Sequence, residues 1–393
     1  MEQPILKNKK KALLISYPLF SHNFAMKPYI KALLDENFQI DYLNTDDYVD
    51  FIKHENFKFY PYESYKGLET DTLDNKFSIF KLGLSIHDAY ASTVSQIEKH
   101  ILKTCPDLII HPKFGFAAKL SALRYNIPTI NMTSGFVFNP DIVFKFYKQS
   151  NDKGIFSGDN IYDGKTLIRK YEKTLQEYDL LCTDCSDLYV NKGSLNVVMN
   201  IPEFQPNLKD FLIDFEFLGM NFEEYGDHKK EDLIYVSLGT VFNKESNLFN
   251  KFIDYLSPLN VKVVLDAKTK YEKLPDGFQL AKLGKQKEYL QRAKLFITHG
   301  GACSIHESLF YKTPMIVIPQ TAEHEINGDH VVQNNFGLKL LTTELNGALL
   351  RKYISQVYDA PDKIDSLNEW SKKYDLIHNK SVFIRHVYSL LNI

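Results

Sequence analysis

Cysteine is scarce: there are four in 393 residues, at 105, 182, 185 and 303. That is far too few for a disulfide framework and fits a reducing compartment. Cys182 and Cys185 form a CxxC, but no second pair or histidine pair stands at zinc-finger spacing. The segment DLLCTDC reads as the end of a strand, so both are expected to be structural thiols. Tryptophan occurs once, at Trp370. No run of 18 apolar residues exists, which excludes a helical membrane span. An excess of one charge is missing too: 47 Lys plus Arg face 49 Asp plus Glu, a formal charge of −2. Duplex nucleic acid requires a basic footprint, so it is not expected as a partner. No repeat and no low-complexity tract is visible. The opening KNKKKALLISYPLFSHN has a basic and then an apolar part, like a signal peptide. No small-x-small cleavage site follows, and a strand with its turn explains the same run, so the expected location is cytoplasmic.

What is present is ordinary globular material, with 44% apolar and 24% charged residues. The length suggests two or three domains. Short β-rich runs alternate with longer amphipathic stretches, the pattern of βα units and a parallel sheet. Strands are predicted at Ala12–Tyr17, Gln39–Asn44, Leu108–His111 and Pro128–Asn131. Helical pattern covers Phe24–Asp35, Ser85–Lys103 and Phe116–Arg124. A further helix, Thr166–Tyr178, is followed by strands at Leu180–Thr183 and Leu195–Met199. The polar run NFEEYGDHKKED, residues 221–232, is the best linker. A second cycle follows, with strands Leu233–Ser237, Val261–Asp266, Leu295–Thr298 and Met315–Ile318 and helices Leu248–Leu256, Lys287–Ala293 and Ser304–Tyr311. The expected fold is α/β, with two Rossmann-like domains, 1–220 and 233–370, and a crevice between them. Ligands should meet loops at the carboxyl ends of the strands.

The most informative stretch is LFITHGGACSIHESLFYKTPMIVIPQTAEHE, Leu295–Glu325. A buried strand ends at Thr298 and His299, two glycines permit a tight turn, and Ser304 opens a helix. Such a turn gathers free N–H groups and the positive end of a helix dipole into an anion site. Ser304 and Glu307 alone would equally make a capping box. His299, Gly300 and Gly301 shift the balance toward phosphate, because a cap needs none of them. No P-loop and no GxGxxG is present.

The block HGGACSIHESLFYKTPMIVIPQTAEHE resembles the donor-binding signature of the family 1 UDP-glycosyltransferases. VSLGTVFN (236–243) and LNVVMNIPEFQP (195–206) resemble the bacterial macrolide glycosyltransferase branch. The resemblance implies the GT-B architecture: two doubly wound parallel-sheet domains facing a central cleft, with the acceptor in the first and the UDP-sugar in the second. A C-terminal helix, residues 371–393, would cross back to the first domain. It also implies displacement with inversion at the anomeric carbon, and no metal. By family position His299, Gly300, Gly301 and Ser304 would hold the phosphates, Glu307 the ribose hydroxyls, Gln286 the base or ribose, and Thr240 the donor side of the SLGT loop. Glu323 and His324 would face the sugar hydroxyls, where the family usually has an acid followed by Gln, so His324 is a departure.

The acid–base candidate is His22, expected in the loop between the first strand and its helix. An imidazole suits removal of a hydroxyl proton because its pKa lies near neutrality. Read alone, such a histidine is more often the neighbour of a helix cap; the family places its base in this loop. The family's orienting Asp follows a strand reading DLIIYD, whereas this chain has DLIIHPK, with Pro112 at that position between His111 and Lys113. A Trp that stacks on the base is replaced by Leu283. Other polar clusters carry less. Glu69, Asp71 and Asp74 lie in a polar loop with no supporting strand end, and His299, His306 and His324 show no zinc pattern, so no metal site and no cofactor is expected.

The expected activity is metal-independent transfer of a hexose, with glucose the expected sugar, from a UDP-sugar to a hydroxyl of a small apolar acceptor such as a macrolide, phenol or lipid-like product. The rival reading is a catalytically impaired nucleotide-sugar-binding or partner-binding protein on the same scaffold. A sugar-nucleotide epimerase is a third, disfavoured by the His22 loop. Acceptor identity and oligomeric state are not readable from one sequence.

Overall fold

A computed structural model describes residues 9–68, 79–144, 160–181, 187–220, 229–239, 246–269, 271–282, 284–373 and 379–393. The chain forms two compact units, residues 1–221 with 377–393, and residues 222–376. In the first unit the elements are β1 (Lys11–Ile15), α1 (Phe20–Asp35), β2 (Gln39–Asn44), β3 (Phe57–Pro61), α2 (Ile79–Thr104), β4 (Leu108–Pro112), α3 (Phe116–Arg124), β5 (Thr129–Thr133), α4 (Asn160–Gln176), α5 (Asp187–Val190), β6 (Leu195–Val198) and β7 (Glu216–Phe217). The second unit contains β8 (Glu231–Ser237), α6 (Ser246–Leu256), β9 (Lys262–Asp266), β10 (Phe278–Leu280), α7 (Gln286–Arg292), β11 (Ala293–Thr298), α8 (Ala302–Phe310), β12 (Met315–Val317), α9 (Ala322–Gln333), β13 (Gly337–Lys339), α10 (Gly347–Val357) and α11 (Pro361–Lys373). The last helix, α12 (Asn379–Leu391), belongs to the first unit and packs against α1.

Both sheets are parallel throughout, in the orders β3-β2-β1-β4-β5-β6-β7 and β10-β9-β8-β11-β12-β13. A parallel sheet covered on both faces needs nearly continuous apolar strands. LIIHP in β4 and MIV in β12 are buried along their whole length. In each sheet the order reverses once, between β1 and β4 and between β8 and β11. At such a switch point the loops leave in opposite directions and open a crevice at the carboxyl ends of the strands. Ala12 lies beside Leu108 in the first sheet and Thr298 beside Ser237 in the second. The segments after these strands hold His22, Lys113, Gly239 and His299.

Three of the differences from the sequence expectation bear on the singled-out residues. α1 begins at Phe20, so His22 sits in its first turn and not in a loop. The reason is Asn23, whose amide donates to the carbonyls of Tyr17 and Leu19 at 2.7 and 2.9 Å and accepts from the Tyr42 hydroxyl at 2.8 Å. These bonds hold the turn in helical geometry before the apolar periodicity starts. α8 begins at Ala302 with Gly301 as its N-cap and no side-chain cap, so Ser304 neither opens the helix nor forms a capping box with Glu307. Leu180 and Leu181 are not strand, and the rest of that predicted strand, with Cys182 and Cys185, falls outside the described residues. Most of the 221–232 segment and Glu69, Asp71 and Asp74 also fall outside them.

Candidate functional site

The second unit gathers most of the singled-out residues at the β8/β11 switch point. β11 delivers Thr298 and then His299, and the chain turns through Gly300 at φ +91° into α8. A Cβ on Gly300 would lie 2.6 Å from Val317 Cγ1, so only glycine fits that turn. Asn327 on α9 fixes it by donating to the Gly300 carbonyl at 2.8 Å. Gly239, at φ +75°, stands two residues past the end of β8, and a Cβ on it would stand 2.5 Å from His299 Cε1. A Cβ on Gly301 would stand 2.5 Å from His299 Nε2. The imidazole is therefore clasped between two glycine backbones, beside the first turn of α8, whose N–H groups have no intrahelical acceptors.

His299 is buried, and burial pushes its pKa down to about 4. It is a neutral imidazole at neutral pH. The ring of His324 meets it edge-on at 4.5 Å and 85°. Burial and the neighbouring His299 hold His324 well below the usual histidine range. His324 is thus a buried member of the first turn of α9, capped by Thr321, whose hydroxyl accepts from the His324 N–H at 3.4 Å. Helix α9 starts directly after Thr321 and turns the ring inward. Glu323, one residue earlier, is half-buried, and its charge, with that of Glu307 and the stronger effect of burial, raises the Cys303 thiol.

Below this turn lies a polar chain that ties two strands, β8 and β9, to two helices, α7 and α8. Gln286, the first residue of α7, donates to Ser304 Oγ at 3.5 Å and to the Glu307 carboxylate. Its Oε1 accepts from the Tyr235 hydroxyl at 3.3 Å. Tyr235 also reaches Asp266 Oδ2 at 3.5 Å, and Ser237 Oγ donates to the same oxygen at 2.9 Å. Glu307 is buried, which lifts its pKa to about 7 against the pull of the Gln286 amide. Tyr235 is sandwiched between Tyr289 and Phe296, at 5.3 and 5.2 Å. Such a network offers hydroxyl and carboxyl groups to a polyhydroxylated ligand, next to a helix end that favours anions.

The structure therefore brings Gln286, His299, Gly300, Gly301, Ser304, Glu307, Glu323 and His324 into one unit around α7, α8 and α9. Thr240 and Leu283 lie outside the described residues, directly after Gly239 and directly before Gly284. Sequence reading missed Tyr235, Asp266, Tyr289 and Asn327. The first two sit inside strands and the third inside a short helix, where their polar ends are indistinguishable from ordinary strand and helix residues. Asn327 lies on a helix face with no local motif.

His22 belongs to the other unit, at the β1/β4 switch point. Its ring packs on Phe114 at a centroid distance of 5.3 Å. Its Nδ1 is buried without a hydrogen-bond partner among the described residues. Burial, with the Lys113 charge adding, pushes its pKa down to about 3. Lys113 is itself buried, with Nζ 5.0 Å from the Phe114 ring centre and 4.9 Å from that of Phe138, and it donates to the Phe136 carbonyl at 3.3 Å. A cation therefore occupies the surroundings in which the family resemblance would place an acid. His111 points away, across Gly115 at the start of α3.

Comparison with known proteins agrees with this layout. Residues 266–380 match the glycosyltransferase family 28 C-terminal domain. The chain is 24% identical over 362 residues to a Bacillus subtilis protein named as uncharacterized UDP-glucosyltransferase YdhE, covering 88% of this chain and 90% of that one. It is 23% identical over 381 residues to the NDP-glycosyltransferase YjiC of Bacillus licheniformis, covering 92% and 93%. Among solved structures, the glycotransferase of kitacinnamycin superposes with a TM-score of 0.82 at 18% identity, over 96% of this chain and 99% of that one.

Proposed function

We propose that this chain, whose two parallel sheets share the fold of GT-B glycosyltransferases and whose residues 266–380 match the glycosyltransferase family 28 C-terminal domain, is an enzyme that moves glucose from UDP-glucose to a hydroxyl of a small, largely apolar acceptor. The step is a direct displacement with inversion and requires no metal. The observation that carries this reading is the β11–Gly300–Gly301–α8 turn, with His299 clasped beside a helix N-terminus and the Gln286–Glu307 pair beneath it. Unpaired N–H groups and the helix dipole supply positive potential where the departing diphosphate develops charge, which is the work a cation does elsewhere. His299, neutral and fixed by its glycine neighbours, is a hydrogen-bond donor to a phosphate oxygen at no cost in proton uptake. Glu307 and Gln286 suit the ribose, and Glu323 suits the sugar hydroxyls. The choice of UDP and glucose is supported by likeness to the Bacillus subtilis UDP-glucosyltransferase YdhE, and the natural-product class of the acceptor by likeness to the kitacinnamycin enzyme. The scarcity of cysteine supports a cytoplasmic location.

The test is a thermal-shift panel of UDP, UDP-glucose, UDP-GlcNAc, UDP-galactose and TDP-glucose with a chelator present, followed by mass spectrometry of an acceptor library and NMR of the product's anomeric configuration. UDP-glucose binding and a β-linked glucoside are expected. A second reading, a nucleotide-sugar-binding protein without transfer, is favoured by Pro112 at the position of the family's acid and by the depressed His22. Binding of UDP-sugars with neither transfer nor UDP release would establish it.

A further inference from the structure

The surroundings of His22 bear on the kind of hydroxyl the enzyme can use, an inference that rests on the transferase reading above. An imidazole that takes a proton from an acceptor must become an imidazolium, and the described neighbours oppose that. His22 is packed on an aromatic ring, its Nδ1 meets no carboxylate among the described residues, and its surroundings already contain an ammonium. A base pair of the His–acid type gains strength from the acid behind the ring. In this chain Phe114 bridges instead to Lys113, whose Nζ lies over the same ring at 5.0 Å that His22 meets at 5.3 Å.

Lys113 sits where β4 leaves the sheet, one strand over from the β1 end that feeds His22. It is 3% exposed and is bracketed by Phe114 and Phe138, with the Phe136 carbonyl as hydrogen-bond acceptor. A desolvated ammonium among aromatic faces attracts an anion far more strongly than an exposed lysine does, because little solvent screens it. The same aromatic rings suit a flat, apolar body attached to that anion.

We propose that the acceptor reacts as an anion: a phenolic hydroxyl acidic enough to ionise, its phenolate paired with Lys113, while His22 orients the oxygen without deprotonating it. The phenol loses its proton to solvent before the step. The phenolate oxygen then forms the bond to the anomeric carbon as the bond from that carbon to the diphosphate oxygen breaks, and the electron pair leaves with UDP. No proton moves in the displacement, so the missing acid at Pro112 is not needed. Aliphatic alcohols, which do not ionise near neutral pH, are poor acceptors on this account.

The experiment measures kcat/KM at one pH for a series of substituted phenols of graded acidity and for a shape-matched cyclohexanol, in wild type, Lys113→Met and Lys113→Arg, with UDP-glucose as donor. In wild type, kcat/KM should rise with phenol acidity and the cyclohexanol should be unreactive. Lys113→Met should lower the value for the acidic phenols by at least about tenfold, the worth of one charged hydrogen bond, and flatten the dependence on acidity. Lys113→Arg should restore part of both. Comparable transfer to the cyclohexanol, or an acidity dependence unchanged in Lys113→Met, overturns the inference while leaving the transferase reading intact. The wild-type acceptor series decides the matter even if Lys113→Met does not fold. UDP-glucose binding with no transfer to any acceptor removes the transferase reading, and this inference falls with it.

Discussion

The side chains that matter most are buried titratable groups whose state is set by their immediate neighbours. Glu307 is the plainest case. Burial raises its pKa from an ordinary 4.5 to about 7, so the folded chain holds a proton that the unfolded chain has released. Its contribution to stability is therefore complete below about pH 4.5 and lost as pH rises through 7, a swing on the order of 3 kcal/mol. Glu307→Gln removes the titration. Relative to wild type, urea melts of the variant should show a stability that rises between pH 4.5 and pH 7.5, with weaker UDP binding throughout. Parallel curves would mean that Glu307 ionises normally. Gly239 tests geometry in place of charge. Its φ of +75° and the 2.5 Å approach to His299 leave no room for a methyl group. Gly239→Ala should displace the ring and weaken UDP binding at least about tenfold in titration calorimetry, while costing the fold about 1–3 kcal/mol. Unchanged affinity would separate His299 from the phosphates.

At the scale of elements, the two switch points place the loops and the helices bring the chemistry. α8 gives its N-terminus, α7 gives Gln286, and α9 gives both Asn327, which pins the Gly300 turn, and His324, which packs on His299. α12 has a different role. It lies far along the chain yet belongs to the first unit, where Phe383 meets Tyr29 edge-on at 5.1 Å. Tyr29 in turn donates to the carbonyls of Leu218 and Gly219, at 3.1 and 2.8 Å. The last helix thus covers α1, the helix that carries His22. Phe383 is fully buried, and Phe383→Ala should cost about 3–5 kcal/mol. Denaturant melts followed by tyrosine fluorescence would show the loss. A change under 1 kcal/mol would mean that α12 is docked loosely.

At the scale of the whole molecule, each unit has its own sheet and its own core, such as the cluster around Ile234, Phe249, Phe252 and Ile316 in the second. Two cores allow two unfolding transitions. Phe383→Ala should lower one of them in differential scanning calorimetry. UDP at about a hundred times its Kd should raise the other by about 2.7 kcal/mol, because the turn proposed to hold the phosphates lies in residues 222–376. A UDP effect on the transition that Phe383→Ala lowers would place nucleotide binding in the wrong unit.

The alternation of βα units, the paired sheets and the glycine turn before α8 were legible in the sequence, because each rests on signals a few residues long: apolar runs for buried strands, 3.6-residue periodicity for helices, and glycines where the backbone turns. His299, Ser304 and Glu307 were singled out the same way, from the local strand–glycine–helix pattern, whereas Gln286 was singled out only through the family resemblance. The start of α1 was not, since it depends on Asn23 bonding to Tyr17, Leu19 and Tyr42, the last contributed by the next strand. Nor could the sequence show that His324 is buried on His299, that Tyr235 and Ser237 share Asp266, or that Lys113 shares Phe114 with His22. Those relations join residues brought together only when parallel strands are aligned, and burial and Coulomb forces act through space, not along the chain. The sequence by itself determined the scaffold and the turn that suits a phosphate; only the tertiary structure decided which of its histidines are neutral and what charge stands beside the one at the first strand.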